Sequence, residues 1–387
     1  MIQELRAEYC ISAPLFMGGH DPLEQGDMLR PPALKGALRF WWRALNWSRL
    51  RQQSDSDKTA FKKLHEEEAD LFGSASGQSG QQAKFLLRLG GKLDHKEIAD
   101  KERLDPGLAY LMGQGMYDRT DGSKKEGLTG KVTLRCILRP NGLNEQQILE
   151  LQQALLALGL LGSVGARARK GFGSLSIHAL ARNNQNIPIP QDLIELGVWI
   201  KETAQKSLND SLPPFTALSS QTHFWHLPLK PKNGNTAKAL LSEYGRQMMS
   251  YRLSDKSAIG GIQGKGLFKS DSRELRKYLE NASPEQAPRR AVFGLPNNVF
   301  FMDCKKTVEV NPSIQQRRAS PLLAHLHEFP NGQRVMLATL FPAQFLPENE
   351  KVTIKSNSLR PVSLLFLPDW TVIDRFITQC EGKELTR

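Results

Sequence analysis

Residues 2–180 run strand, helix, strand, strand, helix, strand, and that order predicts an α+β fold of the ferredoxin-like βαββαβ type. Three observations carry the prediction. Residues 131–139 alternate, with Val132, Leu134, Cys136 and Leu138 on one face of a strand. Residues 30–50 repeat apolar side chains at helical spacing through Leu34, Leu38, Trp41 and Leu45. Asn144, with Gln147 three positions on, starts a helix that runs to Leu158. At 387 residues the chain suits two domains of about 100–200 residues each. The division is expected at 1–185 and 186–387.

The elements follow in order. Residues 2–16 read as a first strand, ended by Pro14 and the turn at Gly18-Gly19. In the helix at 30–50, Pro31 and Pro32 sit in the first turn, whose amides have no intrahelical partner. A polar helix over 55–72 stops at Gly73, and a Gly/Ser/Gln-rich loop runs to Gln82. Phe85 to Leu89 is a short strand, and 92–128, polar and glycine-punctuated, is an inserted lobe or long loop. A glycine-rich turn at 162–173 leads into a strand at 174–180. NNQNIPIPQ (183–191) is a linker, followed by a helix around 192–208. In the second half, HFWHLPL (223–229) opens a new unit. Helices are expected near 240–252, 271–280 and 370–380, a Gly/Lys-rich loop at 260–269, and strands at 299–303, 320–327, 334–341 and 361–367. No internal sequence repeat is visible.

Composition narrows the function. With 40% hydrophobic and 24% charged residues the chain is globular rather than disordered. Lys and Arg number 52 against 40 Asp and Glu, a net +12 and a pI near 9.5, which favours a polyanionic partner. Cys10, Cys136, Cys304 and Cys380 are far apart and form no CxxC pair, so neither a zinc site nor a disulfide framework is indicated and reduced cytosolic thiols are expected. The opening MIQELRAEYCISAPLF is strand-like and carries acids, unlike a signal peptide, and no apolar run reaches the ~18 residues a membrane span needs.

Two basic segments stand out. LRPPALKGALRFWWRALNWSRLR has no acid between Asp27 and Asp55, while Arg30, Lys35, Arg39, Arg43, Arg49 and Arg51 are all positive. Lys35, Arg39 and Arg43 repeat at i+4, one helical turn of about 5.4 Å apart, a spacing that suits the phosphates of a nucleic-acid strand. The alternative is a solvated face paired with acids from elsewhere; Trp41 and Trp42 read as core. GSVGARARKGFGS (162–174) sets Gly162, Gly165, Gly171 and Gly173 around Arg167, Arg169 and Lys170, with no acid from Leu151 to Gln191. Backbone amides and guanidinium groups together suit a phosphodiester chain. The segment lacks the GK[ST] ending of a Walker A loop.

These segments together resemble the RAMP superfamily of CRISPR-associated RNA-binding proteins, and within it the first-subunit family of the type III-B (Cmr) effector complex. The turn Pro14, Leu15, Phe16, Gly18, Gly19 is similar to that family's Pro-Leu-Phe-x-Gly-Gly. The helix carries its Arg-Pro-Pro…Lys-Gly…Arg-Phe-Trp-Trp-Arg at Arg30, Pro31, Pro32, Lys35, Gly36, Arg39, Phe40, Trp41, Trp42 and Arg43. Leu71-Phe72-Gly73-Ser74, Phe293-Gly294-Leu295-Pro296 and Arg317-Arg318-Ala319-Ser320-Pro321-Leu322 extend the likeness, whereas 92–128 and the last 50 residues match nothing. The resemblance implies two packed ferredoxin-like (RRM-related) domains with insertions. It also implies a non-catalytic subunit that holds the 3′ part of the guide RNA or the guide–target duplex, with guide RNA, target RNA and other effector subunits as partners and no cofactor. It brings Arg317 and Arg318 into the expected contact set.

Two other functions compete. A metal-independent guide-RNA endonuclease would use a histidine such as His20 beside Asp21. A packing subunit would touch mainly protein. Against catalysis, no Ser-His-Asp or Cys-His pattern appears, the pairs His223/His226 and His325/His327 lack a matching acid cluster, and Glu66, Glu67 and Glu68 read as solvated.

Overall fold

The computed structural model describes residues 3–18, 29–75, 80–113, 115–140, 142–204, 211–253 and 258–386. In the first half, strand β1 (Glu4–Leu15) is followed by helices α1 (Pro31–Gln52) and α2 (Asp57–Phe72). Strand β2 (Phe85–Ile98), helix α3 (Pro106–Met112) and a small hairpin of β3 (Tyr117–Asp118) and β4 (Gly122–Ser123) come next. Strand β5 (Gly127–Leu138), helix α4 (Glu145–Leu161), strand β6 (Leu175–Arg182) and the short β7 (Gln185–Asn186) complete it. The sheet has the order β2-β5-β1-β6-β7 and is antiparallel throughout. Leu5, Ala7, Tyr9 and Ile11 alternate into the core beneath the helices, and the Tyr9 hydroxyl donates to the Leu155 carbonyl of α4 at 3.0 Å. The capping box of α4 forms: Asn144 accepts from the Gln147 amide at 2.8 Å, and Gln147 from the Asn144 amide at 3.3 Å.

The second half begins with α5 (Leu193–Trp199), a wider turn at Ile200–Ala204, strand β8 (His223–Leu227) and helix α6 (Ala237–Arg252). A hairpin of β9 (Ala258–Ile259) and β10 (Ile262–Gln263) leads to α7 (Lys269–Leu279). The strands β11 (Asn297–Phe301), β12 (Lys306–Pro312), β13 (Leu322–Glu328), β14 (Arg334–Leu340), β15 (Val352–Ser356) and β16 (Leu359–Leu364) follow. Helix α8 (Thr371–Gln379) and β17 (Lys383–Glu384) end the chain's regular structure. One antiparallel sheet has the order β13-β14-β8-β17, and a second is β11-β12-β15-β16. The half thus repeats the first in outline: strand, helices, strand, strand, helix, strand, with the second strand at one edge, then the third, first and fourth.

Several sequence expectations need correction. The strand at 85–89 continues to Ile98, because Gly91, at φ +100° inside the strand, lets the chain cross close to β5 where a Cβ would lie 2.2 Å from the Lys131 carbonyl. The insertion therefore begins after Ile98. It lies against the second half, where Lys238 of α6 pairs with Glu102 at 2.6 Å and Arg246 pairs with Asp105. The helix expected to 208 ends at Trp199 before the wider turn, and 205–208 lie outside the described residues. Strands β12 and β15 were not anticipated.

The halves meet along β13. It is the edge strand of its sheet, and its amides turn to serine hydroxyls just before and within β6: Leu326 N–H donates to Ser174 Oγ at 3.0 Å and Glu328 N–H to Ser176 Oγ at 2.8 Å. The Ser12 hydroxyl of β1 donates to the Leu326 carbonyl at 2.6 Å. Apolar clusters continue across the seam, with Leu323, Phe329 and Val335 joining the first half's core and Ala13, Phe16 and Phe172 joining the second's.

Candidate nucleic-acid interface

Helix α1 buries Leu34, Leu38, Trp41, Trp42, Trp47 and Leu50, so both tryptophans of the WW pair are core. The basic ladder on its other side is not an open row. Glu68 of α2 is buried and takes Arg39 Nε at 2.5 Å and Arg43 Nη1 at 2.8 Å on one carboxylate oxygen. This corrects the reading of Glu68 as solvated. Glu67 pairs with Arg49 at 2.7 Å, and Glu66 is exposed beside Lys62. Burial of Glu68 requires those partners, since an unpaired carboxylate there would forfeit its hydration. Arg39 and Arg43 still keep about a third of their side-chain surface. Lys35 is half-buried, and burial together with Arg39 holds its amine below the usual lysine range. Arg30 donates to the Gly18 carbonyl at 3.2 Å.

The glycine-rich segment closes over the end of β1. Gly173 N–H donates to the Pro14 carbonyl at 2.9 Å, Ala166 N–H to the Phe16 carbonyl at 3.0 Å, and the Phe16 and Phe172 rings meet edge to face at 5.2 Å. Gly173 is the most constrained: at φ +61° a Cβ would lie 2.0 Å from the Val164 carbonyl. Gly165, also left-handed at φ +82°, faces the Phe16 carbonyl, while Gly162 lies against the Trp41 indole and Gly171 against Leu241 of the second half. These glycines serve packing of their own loop against β1, α1 and α6.

Between them the basic side chains are delivered to the seam. Ala324 N–H donates to the Arg169 carbonyl at 3.0 Å, and the Arg169 guanidinium donates to the Ser320 carbonyl and lies 6.0 Å from the Phe40 ring. Lys170 stands 5.7 Å from the Tyr110 ring. Arg317 and Arg318 arrive from the second half. Arg318 exchanges backbone hydrogen bonds with Leu295 at 2.8 and 3.0 Å, donates to the Gln344 carbonyl at 3.1 Å and lies over Phe345. The segments 14–18, 40–43, 162–174, 293–296 and 317–322, far apart in sequence, are therefore one neighbourhood.

Its electrostatics are one-sided. Burial, then Arg317, lowers the Arg167 guanidinium; burial, then Arg318, brings Arg169 down to about 10. Burial brings the Lys170 amine down to about 7, with Arg167 and Arg252 adding to it. Among the described residues, Arg317, Arg318, Arg167 and Arg252 act on these three, and all four are cations. Such a cluster projects a positive field and is relieved by an anion that supplies oxygens to the guanidinium groups. Arg252, in the last turn of α6, was not singled out from the sequence, and neither was the Tyr110 ring; only folding brings them, and the Phe40 ring of the α1 motif, to the loop.

Three of the described histidines are already engaged. His325 and His327 are buried with ring nitrogens 3.4 Å apart, and His223 bonds Glu384 at 3.0 Å and stacks on Trp225. His20 and Asp21, and also Gly19 and Lys256, lie outside the described residues. Arg289 and Arg290 pair with Asp369 and Asp271. No helix among the described residues is long and apolar enough to cross a membrane.

Residues 11–176 match the model of the RAMP superfamily. The CRISPR system Cmr subunit Cmr1-1 of Pyrococcus furiosus is 25% identical over 349 residues, spanning 90% of this chain and 89% of that protein. The crystal structure of Cmr1 from Pyrococcus furiosus in its apo form superposes with a TM-score of 0.52 at 18% identity, over 100% of this chain and 98% of that one. A chain of the type III-B Cmr-beta complex bound to cognate target RNA, seen by cryo-electron microscopy, gives 0.52 at 12% identity over 98% and 99%. At these identities the structural likenesses speak for the fold.

Proposed function

This chain carries a RAMP-superfamily segment at residues 11–176, and from that premise we propose that it is a non-catalytic RNA-binding subunit of a type III-B CRISPR ribonucleoprotein. It works in the cytoplasm with other effector subunits and holds the 3′ part of the guide RNA or the guide–target duplex. The observation that carries this reading is the gathering of Arg167, Arg169 and Lys170 with Arg317, Arg318 and Arg252, cation against cation. Phosphates would relieve that repulsion and release counterions, giving sequence-tolerant binding. Arg30 at the start of α1 and Lys35, Arg39 and Arg43 within it would add phosphate contacts, a third of each arginine of the Glu68 pair staying open to solvent.

The relative's name, a Cmr subunit, supports the assembly, and the neighbour's bound target RNA supports the ligand class. The repeated strand order, with the first strand between the third and fourth, supports two ferredoxin-like domains divided near 185/186. Holding rather than cutting is favoured by His223, bonded to Glu384, and by His325 and His327, which are buried.

The test is binding of the purified chain to labelled single-stranded RNA across a salt series. An Arg167→Ala/Arg169→Ala variant is expected to bind more weakly, with a log–log salt slope shallower by about 1.4, or about 0.7 per lost phosphate contact. Equal slopes for the variant and the wild type would move the cluster's role to subunit assembly.

A further inference from the structure

The seam between the halves holds a second constellation, unrelated in chemistry to the basic cluster. Cys10 on β1, His178 on β6 and Glu328 on β13 each offer one donor atom, and the three atoms lie within 4.8 Å of one another. Cys10 Sγ is already 3.8 Å from Glu328 Oε1. We propose that Cys10, His178 and Glu328 bind Zn2+, which clips the first half of the chain to the second.

The donor set decides the metal. A thiolate, an imidazole and a carboxylate make a mixed S, N, O set that suits zinc and ill suits magnesium or calcium, which want oxygen alone. In a tetrahedral zinc site, neighbouring donor atoms sit about 3.5 Å apart, as bond lengths near 2.0–2.3 Å require. Drawing these three together asks for about 1 Å of movement per pair, within reach of side-chain rotation. Binding replaces the thiol proton: the S–H bond breaks, an S–Zn bond forms and the proton passes to solvent.

The surroundings fit a site with three protein ligands. Arg334 Nε lies 2.6 Å from Glu328 Oε2, leaving the Oε1 side to the metal and orienting the carboxylate as outer partners of metal ligands do. His178 Nε2 lies 3.1 Å from the Glu328 main-chain carbonyl, so the ring is already held against β13. Cys10 and Glu328 also line a cavity of about 660 Å³ with Lys131, His95 and Arg334, and water from it would take the fourth position. Lys131 lies beside Cys10 across the β1/β5 ladder; its charge opposes the metal, while the two anionic ligands offset it. The ligands come from strands on both sides of the seam, so the metal would add a cross-link where side-chain hydrogen bonds otherwise join the halves.

The test uses the full chain, stripped with a chelator and titrated with Zn2+ against a chromophoric competitor, then with Co2+ for its spectrum. The expected result is one equivalent bound, a near-ultraviolet thiolate-to-cobalt band, and a raised melting temperature. Cys10→Ser should remove the band, and Cys10→Ser and His178→Ala should each weaken zinc at least about 100-fold, beyond the usual effect of losing an outer partner. Cys304→Ser, an exposed thiol outside the site, should change nothing. Circular dichroism of each stripped variant establishes that it is folded before it is titrated. Substoichiometric zinc on the wild type overturns the proposal. So does a cobalt spectrum without the thiolate band, or a folded Cys10→Ser chain that binds as tightly as the wild type.

Discussion

Arg43 Nη1 lies 2.8 Å from Glu68 Oε1, a bond between a third-exposed guanidinium and a buried carboxylate. The asymmetry predicts the cost of breaking it from either end. Removing Arg39 and Arg43 together strands the buried acid, and Arg39→Ala/Arg43→Ala should lose about 3 kcal/mol in urea denaturation. Glu68→Gln, which leaves the two cations partly in water, should lose about 1–2 kcal/mol. Equal losses would mean that the carboxylate is better hydrated than its burial implies.

If Lys170 meets RNA as proposed, binding should depend on pH. Its amine, brought down to about 7, is charged at pH 6 and mostly neutral at pH 8, and a phosphate selects the charged form. Affinity for single-stranded RNA should therefore fall about tenfold from pH 6 to pH 8. Lys170→Arg should flatten the profile. Folding stability runs the other way: from about pH 7 towards 10.5 the unfolded lysine keeps a proton that the folded one has shed, so this group's contribution rises with pH. A wild-type affinity that is flat across pH 6–8 would remove Lys170 from the contact set.

His325 and His327 predict acid lability. Burial brings His325 down to about 3 and pushes His327 well below the ordinary imidazole range, with His325 and His178 adding to the latter. Below pH 6.5 the unfolded chain binds protons that the folded chain refuses, so stability falls with pH. The slope should approach about 2.7 kcal/mol per pH unit for two imidazoles. Urea midpoints from pH 7 to pH 4 measure it, and His327→Phe should roughly halve the slope.

Gly173→Ala tests the loop. The added Cβ would meet the Val164 carbonyl at 2.0 Å in a left-handed residue, and the expected loss is about 3 kcal/mol. RNA affinity measured on the folded fraction should fall with it, since Arg167, Arg169 and Lys170 would be re-aimed.

Local signals were legible where a cause acts within one turn or one strand. Asn144 and Gln147 named the start of α4, Pro31 and Pro32 the start of α1, and the Leu34 stripe its buried face. Gly90-Gly91 misled because a glycine pair reads as an ending, and only the partner strand β5 shows that the chain continues through it. Strands β12 and β15 were missed because KTVEVNP and VTIKS are short and set among turns, and each gains its meaning from the other across the ladder. The site divides the same way. Both basic segments could be found by counting charges. Glu68 beneath the ladder, Arg252 beside Lys170, and Cys10 near His178 and Glu328 are meetings across tens to hundreds of residues, which no spacing rule contains.

The serine hydroxyls that receive the Leu326 and Glu328 amides have a further consequence. An edge strand with open amides is a template on which a stray strand can grow. Here the chain blunts its own edge with side chains, so the protection exists only while the halves stay together. Either half produced alone would expose β13 or its serine partners. The C-terminal half, left with an adhesive edge, should be the one that precipitates.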